Sequence, residues 1–309
     1  MTDPYALVDP DLRAALAVLP DLSVLSLETL NDVRAILAAT RPSEEIAGVQ
    51  VTRISIPGAG DQPDIAALLY RPEVTALRPA ILNIHGGGMV AGTAERDDAS
   101  MRALAVALDA VILSIDYRLA PEAPYPAAME DSMTSLEWLH QQASDLGIDA
   151  RRIALRGTSA GGGIATGLAL LVQDRDRPKI AFLSLVYPML DDRTENHPVA
   201  GKYVWPIAAN RFGWSSYLNG IMPVPIYAAP GRADHLAAMP PTFIAVGSID
   251  LFIDENLRFA QALIAAGVPT ELHVYPGAYH GFTLISGAGV ARRFEQDSLA
   301  AFQRAFAAA

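Results

Sequence analysis

The chain has 309 residues, 51% hydrophobic and 18% charged, which is enough apolar content for a sizeable buried core and too little charge for intrinsic disorder. A formal net charge of −11 disfavours nucleic acid and anionic membrane as partners, since both need basic surface. The absence of cysteine excludes disulfides, thiolate metal sites and a cysteine nucleophile, and leans toward a reducing compartment.

The chain opens Met-Thr-Asp-Pro with no basic region ahead of an apolar run, so a soluble cytoplasmic protein is expected. Two uncharged stretches, 212–231 and 272–291, reach membrane-spanning length. Prolines in the first, and histidine, proline and glycine in the second, argue against transmembrane helices. Asp9 before Pro10 reads as an N-cap with proline at the first helical position. Ser26 is placed to cap a second helix reaching about 39, which Arg41-Pro42-Ser43 ends. Runs 49–56 and 65–70 have strand character, and the Pro-Gly-Ala-Gly-Asp between them predicts an antiparallel pair. After Pro79, apolar strands alternate with amphipathic helices. The strands are 80–84, 111–115, 153–155, 180–186, 243–246 and 271–275. The helices are 97–108, 127–146, 160–172, 254–266 and 290–306. Gly147 and Gly267 stand at C-cap positions. Several strands are apolar on both faces, so the fold class is α/β, a mostly parallel central sheet with helices on both faces. Residues 191–236 break the alternation and carry Tyr203, Trp205, Phe212, Trp214 and Tyr217. An insertion at the carboxyl end of a parallel strand lies where ligands bind and reads as a lid. Its aromatics either line an apolar pocket or pack within the lid.

Gly157-Thr158-Ser159-Ala160-Gly161 follows a strand and precedes an apolar helix. In that setting a Gly-x-Ser-x-Gly turn projects a serine hydroxyl from the sheet edge, and side chains on the flanking glycines would clash. A phosphate loop is the alternative, but no lysine follows the glycines. His85-Gly86-Gly87-Gly88 ends the 80–84 strand, and glycines let backbone N–H groups converge on an oxyanion. A serine nucleophile needs a base. His280, just past the 271–275 strand, has the position and the chain order for it. His85 belongs to the glycine loop, His140 is mid-helix, His197 and His235 lie in the insertion and His273 lies in a strand. Asp250 follows the 243–246 strand and is the preferred acid. Asp254 and Glu255 start the next helix, where the dipole favours carboxylates for structural reasons. Asp116 to Glu122 reads as structural ion pairs and turn hydrogen bonds. No metal and no organic cofactor is expected.

These motifs together resemble the bacterial hormone-sensitive-lipase-like esterases of the α/β-hydrolase superfamily, in the branch with threonine before the nucleophile. The matching residues are His85-Gly86-Gly87-Gly88, Asp116 to Glu122, Gly157 to Gly162, Asp250 with Asp254-Glu255, and His280-Gly281-Phe282. The resemblance implies an α/β-hydrolase fold with a helical cap. Residues 1–45 and 191–236 would form the cap, and 46–190 with 237–309 the catalytic core. It implies that Gly87, Gly88 and Ala160 supply the oxyanion-hole N–H groups, and it brings a homodimer into view. Where the family reads Asp-Pro-Leu, this chain has Asp250-Leu251-Phe252. The expected function is hydrolysis of small to medium acyl esters by Ser159, His280 and Asp250 through an acyl-enzyme, with a small-molecule ester as the partner. An amidase or carbamate hydrolase with the same triad is the first alternative. A non-catalytic receptor, as in the plant gibberellin receptors that resemble this family, is the second, and the presence of His280 argues against it.

Overall fold

The computed structural model describes residues 4–38, 46–73, 77–175 and 179–308. In chain order the elements are α1 (Pro10–Arg13), α2 (Leu30–Ala38), β1 (Val49–Ile56), β2 (Ile65–Pro72), β3 (Arg78–Ile84), α3 (Asp98–Leu108), β4 (Val111–Asp116), α4 (Ala127–Gln141), α5 (Ala143–Leu146), β5 (Ile148–Thr158), α6 (Ala160–Asp174), β6 (Phe182–Val186), α7 (Ile207–Leu218), β7 (Thr242–Gly247), α8 (Ile253–Ala265), β8 (Thr270–Tyr275) and α9 (Gly289–Ala308). The eight strands form one sheet in the order β1-β2-β4-β3-β5-β6-β7-β8. Strand β2 runs antiparallel to both its neighbours, and every other pairing is parallel.

Strand periodicity divides the core between the two faces. Leu82, Leu113 and Leu155 point to the side covered by α4, α6 and α8. Ile81, Ile112 and Ala154 point to the side covered by α3 and α9. Both faces are closed by helices, which is why these strands read as continuous apolar runs. Among the described residues, no helix is long and apolar enough to cross a membrane.

Asp9 caps α1 through a 2.9 Å bond from the Asp11 N–H, with Pro10 in the first helical position. Ser26 Oγ accepts from the Thr29 N–H at 3.3 Å while Thr29 Oγ1 accepts from the Ser26 N–H at 3.0 Å. This reciprocal box forms a turn, so α2 starts at Leu30, later than the sequence suggests. The predicted end of that helix at 39, the break at Arg41-Pro42-Ser43 and the last residue of the 1–45 segment lie outside the described residues. The helix expected over 127–146 is two helices parted at Gln142. The strand expected at 153–155 is much longer, because polar Asp149-Ala150-Arg151-Arg152 continues it through a register irregularity opposite Arg78 and Ala80. Gly147 closes α5 in the left-handed conformation. The insertion after β6 holds α7 and a 3-10 turn at Pro230–Arg232. Helix α7 packs on the 3-10 turn Leu22–Val24, so the insertion and the N-terminal segment touch.

Candidate active site

Four strand ends meet at one edge of the sheet. Strand β5 leads into Ser159 and β3 into the glycine loop, while β7 and β8 lead into the loops of Asp250 and His280. Ser159 sits between β5 and α6 with φ 55° and ψ −119°. A side chain in the left-handed region costs about 1–3 kcal/mol. The surrounding backbone holds it there: the Ser159 N–H donates to Val186 O at 2.8 Å, and its carbonyl accepts from the N–H groups of Gly162 and Met189, both at 2.9 Å. The flanking glycines are needed for space. A Cβ on Gly157 would stand 2.3 Å from Gly161 O, and one on Gly161 would stand 2.1 Å from Ile84 O.

Three predicted side chains come together in a line. Ser159 Oγ and His280 Nε2 are 2.9 Å apart, and His280 Nδ1 is 2.9 Å from Asp250 Oδ2. Asp250 is fully buried, and Ser159 and His280 are 4% and 6% exposed. The other Asp250 oxygen accepts from the Phe252 N–H at 2.9 Å. The proton positions follow from the partners. A carboxylate only accepts, so Nδ1 carries the hydrogen, and in a neutral ring Nε2 is then the acceptor for the serine O–H. Aromatic rings enclose the imidazole, with Tyr187, Phe252 and Trp205 at centroid distances of 4.6, 5.1 and 6.3 Å. Phe252, part of the departure from Asp-Pro-Leu, thus contributes both an N–H to Asp250 and a ring edge to His280.

The rival carboxylates lie elsewhere. The Asp254 side chain is 57% exposed, with His197 Nε2 at 4.0 Å. Glu255 is buried, accepts from the Leu190 N–H at 2.6 Å and is bonded by the Thr194 hydroxyl. Burial pushes the Glu255 carboxyl up to about 8, against those two bonds and helped by the charges of Asp191 and Asp250.

The glycine loop packs against the serine turn. Gly87 has φ +128° and a Cβ there would lie 1.9 Å from Ala91 O, while a Cβ on Gly88 would lie 2.2 Å from the Trp205 ring. Ala160 is the first residue of α6, where N–H groups have no acceptor within the helix. The Asp116 to Glu122 block makes hydrogen bonds and an ion pair of the structural kind the sequence suggests, and these support the loop from behind. Tyr117 stacks on His85 at 4.3 Å and donates to His85 O at 3.0 Å. Asp116 accepts from the Ala94 N–H at 2.6 Å. Arg34 of α2 donates to Val90 O at 2.7 Å and to both Glu122 oxygens at 2.8 and 2.7 Å. The Arg34 guanidinium holds the Glu122 carboxyl down to about 2.

A cavity of about 430 Å³ opens onto Ser159 and His280. Its wall includes Leu19 and Leu22 from the N-terminal segment, Leu104 of α3, Val204 and Trp205 of the insertion, and Leu299 of α9. That volume is within the range of small-molecule sites. Trp205 lines it. Trp214 and Tyr217, both on α7, lie in the same buried cluster as Trp205 but outside the cavity wall, so the insertion's aromatics divide between the two roles open to them. Tyr187, Arg96 and Arg156 line the cavity and were not singled out from the sequence. Of these, only Tyr187 left a local signal: it directly follows an apolar strand, β6, at the edge where ligands bind.

The chain resembles known proteins along most of its length. Residues 81–284 match the model of a family with the alpha/beta hydrolase fold. Esterase LipI of Mycobacterium tuberculosis is 40% identical over 237 residues, covering 74% of each chain. Carboxylesterase NlhH of the same species is 33% identical over 295 residues, covering 91% of this chain and 92% of the relative. Among solved structures, a bacterial heroin esterase superposes with a TM-score of 0.89 at 35% identity, covering 98% of this chain and 99% of that one.

Proposed function

This chain belongs to the α/β-hydrolase fold family, in its hormone-sensitive-lipase-like esterase branch, and from that premise we propose that it hydrolyses carboxylic esters of small to medium acyl groups through Ser159, His280 and Asp250. The observation that carries the reading is the unbroken chain of 2.9 Å contacts from Ser159 Oγ through the His280 ring to Asp250.

His280 Nε2 takes the serine proton as Oγ attacks the ester carbonyl, and a tetrahedral oxyanion forms. The N–H groups of Gly87, Gly88 and Ala160 hold that oxygen, a stabilisation typically worth about 3–4 kcal/mol per donor. Asp250 keeps the hydrogen on Nδ1 and stabilises the imidazolium. His280 then protonates the departing alcohol and leaves an acyl-Ser159. Water, deprotonated by the same imidazole, attacks the acyl group, and the acid departs as Oγ regains its proton. The N-terminal segment and the insertion act as one cap, a role supported by their mutual packing and by their shared lining of the cavity. The enzyme works in the cytoplasm, a reading that the cysteine-free composition fits.

A panel of 4-nitrophenyl esters of increasing acyl length, with matched anilides, tests this function. Esters of short and medium chains are expected to turn over far faster than anilides. Ser159→Ala is expected to remain folded and lose on the order of 10⁶ in kcat. Turnover by a folded Ser159→Ala protein at the wild-type rate would refute the mechanism, and faster cleavage of anilides would make the enzyme an amidase.

A further inference from the structure

The cavity wall that carries Ser159 and His280 also carries two arginines, Arg96 and Arg156. Arg156, buried at the end of β5, is engaged through Nη1. It donates to Asn83 Oδ1 at 2.7 Å and Thr158 Oγ1 at 3.2 Å, and stands 3.8 Å from Asp97 Oδ2. Arg96 differs. It lies in the 3-10 turn Ala94–Asp97 that leads into α3, half-buried, among three acidic residues. Each of those acids is taken by a different arginine: Glu95 by Arg53, Asp97 by Arg156 and Asp98 by Arg102. Among the described residues, no carboxylate stands within ion-pair distance of the Arg96 guanidinium and no acceptor receives its hydrogens.

Its charge is felt at the catalytic end of the cavity. Burial raises the Tyr187 hydroxyl to about 12, and Arg96 is one of the cations that pull it back. Tyr187 packs edge-on against His280 at 4.6 Å and shares a 2.6 Å hydrogen bond with Thr283, and both residues line the cavity. Glu295 of α9 is the other wall carboxylate, and burial raises its carboxyl, so it competes weakly for a cation. A protein of formal net charge −11 thus holds an unanswered positive group in the space its substrate enters.

We propose that Arg96 docks a carboxylate carried by the substrate, so that the preferred esters bear an acid group set apart from the scissile bond. The proposal rests on the ester-hydrolase reading and names its substrate class. That class is either the half-ester of a dicarboxylic acid, with the charge on the acyl side, or the ester of a hydroxy acid, with the charge on the alcohol side. A guanidinium binds a carboxylate through two parallel N–H···O bonds, and a site shielded from water strengthens them.

The test compares matched charged and neutral esters. On the acyl side these are the 4-nitrophenyl half-ester of glutaric acid and 4-nitrophenyl hexanoate. On the alcohol side they are 4-acetoxybenzoate and 4-acetoxytoluene. The quantity read is the charged-over-neutral ratio of kcat/KM. In Arg96→Gln this ratio is expected to fall by roughly tenfold or more on one side, mostly through KM, as loss of a hydrogen-bonded charge pair implies. Arg96→Lys is expected to recover part of it, and the responding side shows where the carboxylate sits. Ratios unmoved by Arg96→Gln on both sides would overturn the proposal, as would an equal loss on charged and neutral esters. Failure of the wild-type protein to cleave even the neutral esters would refute the hydrolase reading beneath it, and the neutral substrates show that separately.

Discussion

At the scale of single residues, the role proposed for His280 depends on which of its nitrogens bears hydrogen, and in that proposal Asp250 decides it. A carboxylate facing Nδ1 leaves Nε2 as the acceptor for Ser159. Asparagine has the same size but can donate, and an N–H facing Nδ1 puts the hydrogen on Nε2, where it blocks the serine. Asp250→Asn is therefore expected to lower kcat by about 10⁴, the size of the effect in the serine-protease case. Asp254→Asn is expected to cost less than about tenfold, because an exposed carboxylate at a helix start contributes roughly 1 kcal/mol of stability and touches no reacting atom. Steady-state kinetics on both folded variants would decide it, and greater damage from Asp254→Asn would reassign the acid. Ser159, Asp250 and His280 were legible because each stands at a strand end with a local pattern around it. Arg96 and Arg156 were not. An arginine in sequence looks the same whether a carboxylate answers it or not, and the residues that answer Arg156 stand on β3 and in the turn before α3.

At the scale of elements, the insertion divides its aromatics by direction. Trp205 reaches over Gly88 into the cavity, while Trp214 faces the core with Tyr217 at 6.2 Å. Trp214→Ala is expected to destabilise the fold by about 3–5 kcal/mol, as truncation of a buried tryptophan does, with the acyl-length profile kept. Trp205→Ala is expected to shift that profile toward bulkier groups. Melting curves paired with the nitrophenyl panel separate the two, and a profile unmoved by Trp205→Ala would count against its place in substrate selection. Composition marked this stretch as aromatic, but which ring faces which way depends on how α7 sits on Leu22–Val24, a contact between segments far apart in sequence. Glu255 joins α8 to the start of the same insertion. Its folded value of about 8 lies above the ordinary 4.5, so the folded protein holds a proton that the unfolded chain releases first. The stability it contributes is fully present below the lower value and is lost as pH rises through the upper one. Glu255→Gln cannot ionise and keeps an acceptor for Leu190. The variant's melting temperature relative to wild type is expected to rise between about pH 5 and pH 8, and a flat difference would show that Glu255 ionises freely in the folded state.

At the scale of the whole molecule, the alternation of strand and helix announced a parallel sheet, and the turn after β1 announced an antiparallel neighbour. The position of β4 between β2 and β3 was not announced. It comes from the crossover through α3 that sets β4 parallel to β3, a choice made by packing of the helix on the sheet rather than by any local residue pattern. The same sheet order carries a consequence in time. Ser159 leaves the ribosome 121 residues before His280, a lag of roughly 6–24 s at the usual ~5–20 residues per second. Through that interval the nascent chain has the serine turn and the glycine loop but neither β8 nor the imidazole beyond it. On the proposed mechanism the growing polypeptide is therefore expected to be chemically silent toward the esters around it, and to gain reactivity only when its last strand joins the sheet edge. Stalled nascent chains of stepped length, treated with a fluorescent fluorophosphonate, are expected to label only once His280 has cleared the exit tunnel. Labelling of chains that end before β8 would show that Ser159 is activated without it.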